Sequence, residues 1–121
     1  MSFSRIHLAA LAASLSLVLG CAARAGQGYL AEFEDLPLAP GLTEQQGGML
    51  FETPTGRIVE AFASGELSAA QAQAFYQQAL PQLGWEPQAD GGYKRDNEFL
   101  RIDMDGSHRL LSVHFSVVPQ P

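Results

Sequence analysis

Only one cysteine, Cys21, occurs in the 121 residues of this chain. An intramolecular disulfide and a multi-cysteine zinc site are therefore excluded. Positive charge is scarce as well: 7 Lys+Arg stand against 13 Asp+Glu, a formal net charge of -6. A phosphate backbone selects basic patches, so no nucleic-acid partner is expected. The chain lacks a P-loop, a G-x-G-x-x-G fingerprint and a G-x-S-x-G elbow, the local devices of phosphate, dinucleotide and acyl chemistry. Its length allows one small domain and excludes a multidomain enzyme.

What is present begins with an address. Arg5 gives a short positive n-region, and an apolar run from Ile6 to Gly20 follows, interrupted only by His7 and two serines. This is the pattern of a secretory signal peptide over residues 1–25, and a run of about 15 is short for the roughly 20 residues of a membrane span. Two cleavage sites compete. Val18-Leu19-Gly20-Cys21 resembles a bacterial lipobox, in which Cys21 becomes lipidated and N-terminal, although Leu19 departs from the usual small residue. Ala23-Arg24-Ala25 is an A-x-A site whose cleavage would release Gly26. Either cut removes Arg5, so the exported chain is no less acidic than the precursor's ratio suggests.

Residues 26–48 read as an extended, Pro-containing arm, because Pro37 and Pro40 disfavour helix and block ladder donors. Leu36, Leu38 and Leu42 predict that the arm packs on the domain, since a solvated linker would not need them. Gly47-Gly48 marks a turn into a domain over 49–121. There Met49–Glu52 and Arg57–Ala63 form a hairpin around Pro54-Thr55-Gly56.

Ser68 and Gln71 make a capping box for a helix over 69–83. Ala72, Phe75, Tyr76, Ala79 and Leu80 fall on one face of it. Gly84 and Trp85 suit a Schellman closure. Downstream the period changes to two: a hairpin turns at Asp90-Gly91, and strands follow over Glu98–Met104 and Leu110–Val118. The expected fold is α+β: an antiparallel sheet of four to five strands in the order β-β-α-β-β-β, with one amphipathic helix on one face.

Candidate chemistry is sparse. His108 sits in a turn and His114 on the polar face of the last strand between Ser112 and Ser116, and neither has a ligand spacing. Asp103-Met104-Asp105-Gly106 places its glycine too early for an EF-hand loop, so a hairpin turn explains it better. No metal and no cofactor are expected, and no catalytic residues assemble. Lys94, Arg95 and Arg101 are the one basic cluster, able to hold an anion, to meet the acidic patch at Glu32, Glu34 and Asp35, or to pair with Glu98 and Asp103. Tyr76 and Trp85 carry polar handles toward the helix edge, which makes that edge the expected partner surface.

Phe75-Tyr76, Leu80-Pro81 and Gly84-Trp85, followed by Tyr93-Lys94-Arg95 and Glu98-Phe99-Leu100, resemble a pattern in small exported proteins of uncharacterised families from Gram-negative bacteria. The resemblance spans most of residues 36–118 and implies a periplasm-facing accessory or lipoprotein role. The leading expectation is a non-enzymatic envelope module, tethered at Cys21, that binds an envelope protein through a sheet edge or the helix side. Its alternative is a soluble periplasmic small-ligand binder using the wet sheet face around Arg101, Ser112 and His114. Radiolabelled palmitate is expected to enter the wild-type chain and to be lost in Cys21→Ala; an unlabelled wild type would leave the cut after Ala25.

Overall fold

Ser68 sets the register of the only helix among the described residues. Its hydroxyl accepts from the Gln71 amide at 3.0 Å, and the Gln71 side chain accepts from the Ser68 amide at 2.9 Å. With both donors satisfied, α1 runs Ala69–Gln82. Its end is equally local. Trp85 and Gly84 donate to the carbonyls of Leu80 and Pro81, with Gly84 at φ +93°, a Schellman closure that Pro81 does not prevent. One face of α1 buries Ala72, Tyr76 and Leu80.

The computed structural model describes residues 28–120 except Glu32, Glu34 and Asp35. Residues 1–27 lie outside it, and with them the signal peptide, Cys21, Ala23 and Ala25. The described strands are β1 (Leu42–Thr53), β2 (Gly56–Gly65), β3 (Glu86–Pro87), β4 (Tyr93–Arg95), β5 (Glu98–Asp105) and β6 (Leu111–Pro119). They form one antiparallel sheet in the order β1-β2-β6-β5-β4-β3, with α1 between β2 and β3 in the chain. The fold is α+β as expected. The sheet has six strands rather than four to five, and the chain order is β-β-α-β-β-β-β. The hairpin read around Asp90-Gly91 contributes both of its strands, β3 and β4, so four strands follow α1 and not three. β3 is only two residues long, and Pro87 pairs with Tyr93 there without a ladder donor of its own.

A second difference concerns residues 26–48. Residues 42–48 belong to β1, and Gly47-Gly48 is no turn. The two glycines lie at a bulge between Gln45 and Met49, with Gly47 at φ +108°, so the strand continues through them. The preceding segment is a loop closed on itself. Leu38 donates to Gly28, Leu30 to Leu36, Phe33 to Leu30 and Leu36 to Phe33. Proline lacks a donor but restricts neither its own carbonyl nor its neighbours' amides, so the chain can fold back around Pro37. The expected packing is observed: Leu36, Leu38 and Leu42 are buried, together with Leu30, Phe33 and Ala39.

The core therefore has three contributors: the loop, α1, and the inner sheet face made by Val59, Ala61 and Ala63 of β2, Leu100 of β5, and Leu111, Val113, Phe115 and Val117 of β6. Tyr76 connects them. Its ring meets Phe115 edge-on at 5.7 Å, while its hydroxyl donates to the Pro37 carbonyl at 2.7 Å and accepts from the Ala39 amide at 3.0 Å. Burial pushes its ionisation far above the ordinary tyrosine range, so the phenol stays a neutral donor. Gly65 is required where β2 approaches the start of β1, because a Cβ there would collide with the Gly41 carbonyl. Tyr76→Phe keeps the ring and strips the Ala39 amide of its acceptor. Urea unfolding is expected to show a loss of about 1–3 kcal/mol, the cost of one buried unsatisfied donor.

Candidate functional site

Side chains alternate across a strand, so the register assigns each residue to one of two sheet faces. The inner face carries Val59, Leu100 and Phe115 under α1. The outer face carries Glu60, Phe62, His114, Ser116, Arg101 and Asp103, since Phe62 pairs with His114 and His114 with Asp103, while Glu60 pairs with Ser116 and Ser116 with Arg101. Among the described residues no helix covers it.

Tyr76 and Trp85 do not form a surface. Each is 1% exposed, so the helix edge offers no polar handle from either. Closure of the helix turns Trp85 inward, where Phe33 meets it edge-on at 6.1 Å and the Arg95 guanidinium lies 4.4 Å over its ring. The Trp85 indole nitrogen is buried with no hydrogen-bond partner among the described residues.

The basic trio is also dispersed. Arg95 faces inward, and its guanidinium donates to the Leu83 carbonyl at 3.1 Å, placing a cation on the C-terminal end of α1. Lys94 points to the opposite face beside Phe99, its register partner. Arg101 lies on that outer face, 3.5 Å from Asp90 in a solvent-exposed pair that stabilises little. Glu98 is held by a different cation, Arg57, through contacts of 2.7 and 3.3 Å. Arg57 in turn lies 4.4 Å over the Phe33 ring, so Phe33 is held between a guanidinium and Trp85. The proposed meeting of this cluster with Glu32, Glu34 and Asp35 lies outside the described residues.

His114 is engaged on the outer face. Its imidazole stacks on Phe62 with centroids 4.7 Å apart, and its Nε2 lies 2.5 Å from a Glu60 carboxylate oxygen. His108 lies in an exposed turn, where the hydroxyl and then the amide of Ser107 hold the Asp105 carboxyl below its usual range. Among the described residues no three His, Cys, Asp or Glu side chains gather as metal ligands, and no helix is long and apolar enough to cross a membrane.

The most unusual surface is one the sequence pattern did not single out. Met49, Leu50 and Phe51 are 47%, 42% and 51% exposed, three consecutive apolar residues on β1. β1 pairs only with β2, so its other edge is open among the described residues. Met49 and Phe51 stand on the outer face opposite Glu60 and Ile58. Val118, exposed and paired with Phe99, lies one residue on from the Val59–Val117 pair and continues the stripe. Leu50 points to the inner side, opposite buried Val59, but beyond the core's edge. The available signal was the unbroken apolar run itself: a strand covered on one face should alternate, and this one does not.

Phe33→Ala would empty the space between Arg57 and Trp85. Urea titration followed by emission of the chain's single tryptophan is expected to show a loss of about 3 kcal/mol or more and a red-shifted native spectrum. No protein-family model, no curated protein and no solved structure matches this chain.

Proposed function

We propose that this protein is a non-enzymatic cell-envelope module, a lipoprotein tethered through Cys21, that binds an envelope protein along the open edge of β1. The observation that carries the proposal is the exposed run Met49-Leu50-Phe51 on a sheet edge. An edge strand presents unpaired amides and carbonyls, and natural sheets blunt such edges with lysine, proline or inward charges. β1 contains no lysine and no proline, and its two carboxylates, Glu44 and Glu52, flank the apolar run instead of interrupting it. A partner strand added here would gain main-chain hydrogen bonds from the edge and apolar contact from Met49 and Phe51. Export supplies the compartment: the leader over residues 1–25 and the cysteine at the lipobox position support an envelope location and a membrane attachment through an N-terminal lipid.

A photo-crosslinking side chain at Leu50 in cells is expected to give an adduct of one defined mass, and one at Arg109, in the distant β5–β6 turn, to give none. Phe51→Lys should weaken the captured complex about 30-fold, the scale of one interface anchor. Equal adducts from both positions, or none from Leu50, would sink the proposed edge.

A further inference from the structure

The covered face of the sheet is incompletely filled. Between α1 and the β3–β5 side of the sheet lies a cleft of about 490 Å³, within the range of small-molecule sites. Small residues keep it open: Ala69 at the start of the helix and Gly91-Gly92 in the β3–β4 turn contribute no bulk. Its apolar lining comes from Tyr76, Ile102 and Met104. Its polar groups come from two elements. Gln73 and Gln77 project from α1 one turn apart, and Gln88 and Tyr93 belong to the β3–β4 hairpin.

These polar groups have capacity to spare. The side chains of Gln73 and Gln77 and the Tyr93 hydroxyl make no hydrogen bond within the protein among the described residues. The Gln88 side-chain nitrogen donates to the carbonyls of Glu86 and Pro87, which leaves its oxygen as an acceptor. Burial raises the ionisation of Tyr93, so its hydroxyl remains a donor. No lysine, arginine or histidine lines the cleft, and the one lining carboxylate, Asp103, is paired in register with His114 of the outer face. A net negative chain and a cationless cleft disfavour an anion. A carboxamide offers both a donor and an acceptor, so two of them can meet the N–H and the C=O of a secondary amide, which point in opposite directions.

We propose that the cleft between α1 and β3–β5 is a second binding site, separate from the β1 edge, for a small uncharged ligand bearing a secondary amide. The apolar lining of Tyr76, Ile102 and Met104 would take the hydrocarbon beside that amide, and Gln73 and Gln77 would bond its N–H and C=O. Such an amide occurs in an N-acetylated sugar and in a short peptide, and the two sources are distinguished by the probe.

The test is an ¹H–¹⁵N correlation titration of the full chain with N-acetylglucosamine and, separately, with N-acetylalanine methylamide. At least one probe is expected to move the backbone amides of Gln73, Gln77, Gly92 and Tyr93 saturably, in the millimolar range natural to so small a ligand. Response to the sugar alone assigns a saccharide, to the blocked amino acid alone a peptide, and to both the amide itself. The double variant Gln73→Ala/Gln77→Ala should weaken binding at least about tenfold, and Gln73→Trp should abolish it by filling the cleft. Both positions are exposed, so the spectrum of each variant should remain that of a folded chain. Phe51→Lys on β1 should leave the titration unchanged, which keeps this result independent of the edge proposal. Silence of the cleft amides to both probes at about 50 mM, or shifts that survive both variants, would overturn the assignment.

Discussion

A single phenol hydroxyl holds the layers of this protein in place. Tyr76 is buried between sheet and loop, and a buried hydroxyl must find partners or destabilise the fold. It finds Pro37 and Ala39, both in the segment ahead of β1. That pairing fixes where the N-terminal loop lies on α1, while the ring's contact with Phe115 fixes α1 on β6. The loop can then deliver Leu30, Phe33, Leu36 and Leu38 into the core. A domain this small depends on such borrowed side chains.

The same arrangement leaves the sheet unequal in its two faces and its two ends. α1 and the loop fill the inner face over β2, β6 and the end near Phe33, where Arg57 and Arg95 close the core with cation–aromatic contacts. They do not fill it near β3–β5, where the helix's glutamines border open space. Nor do they cover the far end of β1, where Leu50 points inward yet stays exposed. Two surfaces with different chemistry result: an apolar open edge suited to a strand, and a cation-free, amide-lined cleft suited to a small molecule. They lie at opposite ends of the strand order, so occupancy of one leaves the other accessible.

Much of the local structure was legible. Ser68 and Gln71 predict the helix start because capping is a contact between residues three apart, and Gly84-Trp85 predicts its end for the same reason. Alternation in β6 predicts which of its residues face the core, and Leu36, Leu38 and Leu42 predict a packed segment ahead of the domain. The candidate site was much less legible. Tyr76 and Trp85 carry polar atoms, and nothing in their spacing says whether those atoms meet water or a backbone group 37 residues away. Lys94, Arg95 and Arg101 look like a cluster along the chain, yet alternation sends Arg95 to one face and Lys94 and Arg101 to the other. Gly47-Gly48 carries the same composition in a turn and in a bulge, and only the pairing of β1 with β2 makes it a bulge.

By itself the sequence determined what is decided within a few residues: the leader pattern with its lone cysteine, the acidic balance, the helix and its two caps, and the hairpin turns at Thr53–Gly56 and Asp90-Gly91. Tertiary structure decided what depends on partners far along the chain. It placed β6 between β2 and β5, folded the N-terminal segment into a loop under Tyr76, and left one edge apolar and one cleft polar. The physical reason is range. Caps and turns are satisfied by neighbouring amides, whereas burial depends on which distant surface arrives to cover a side chain, and for Met49, Leu50 and Phe51 none does among the described residues.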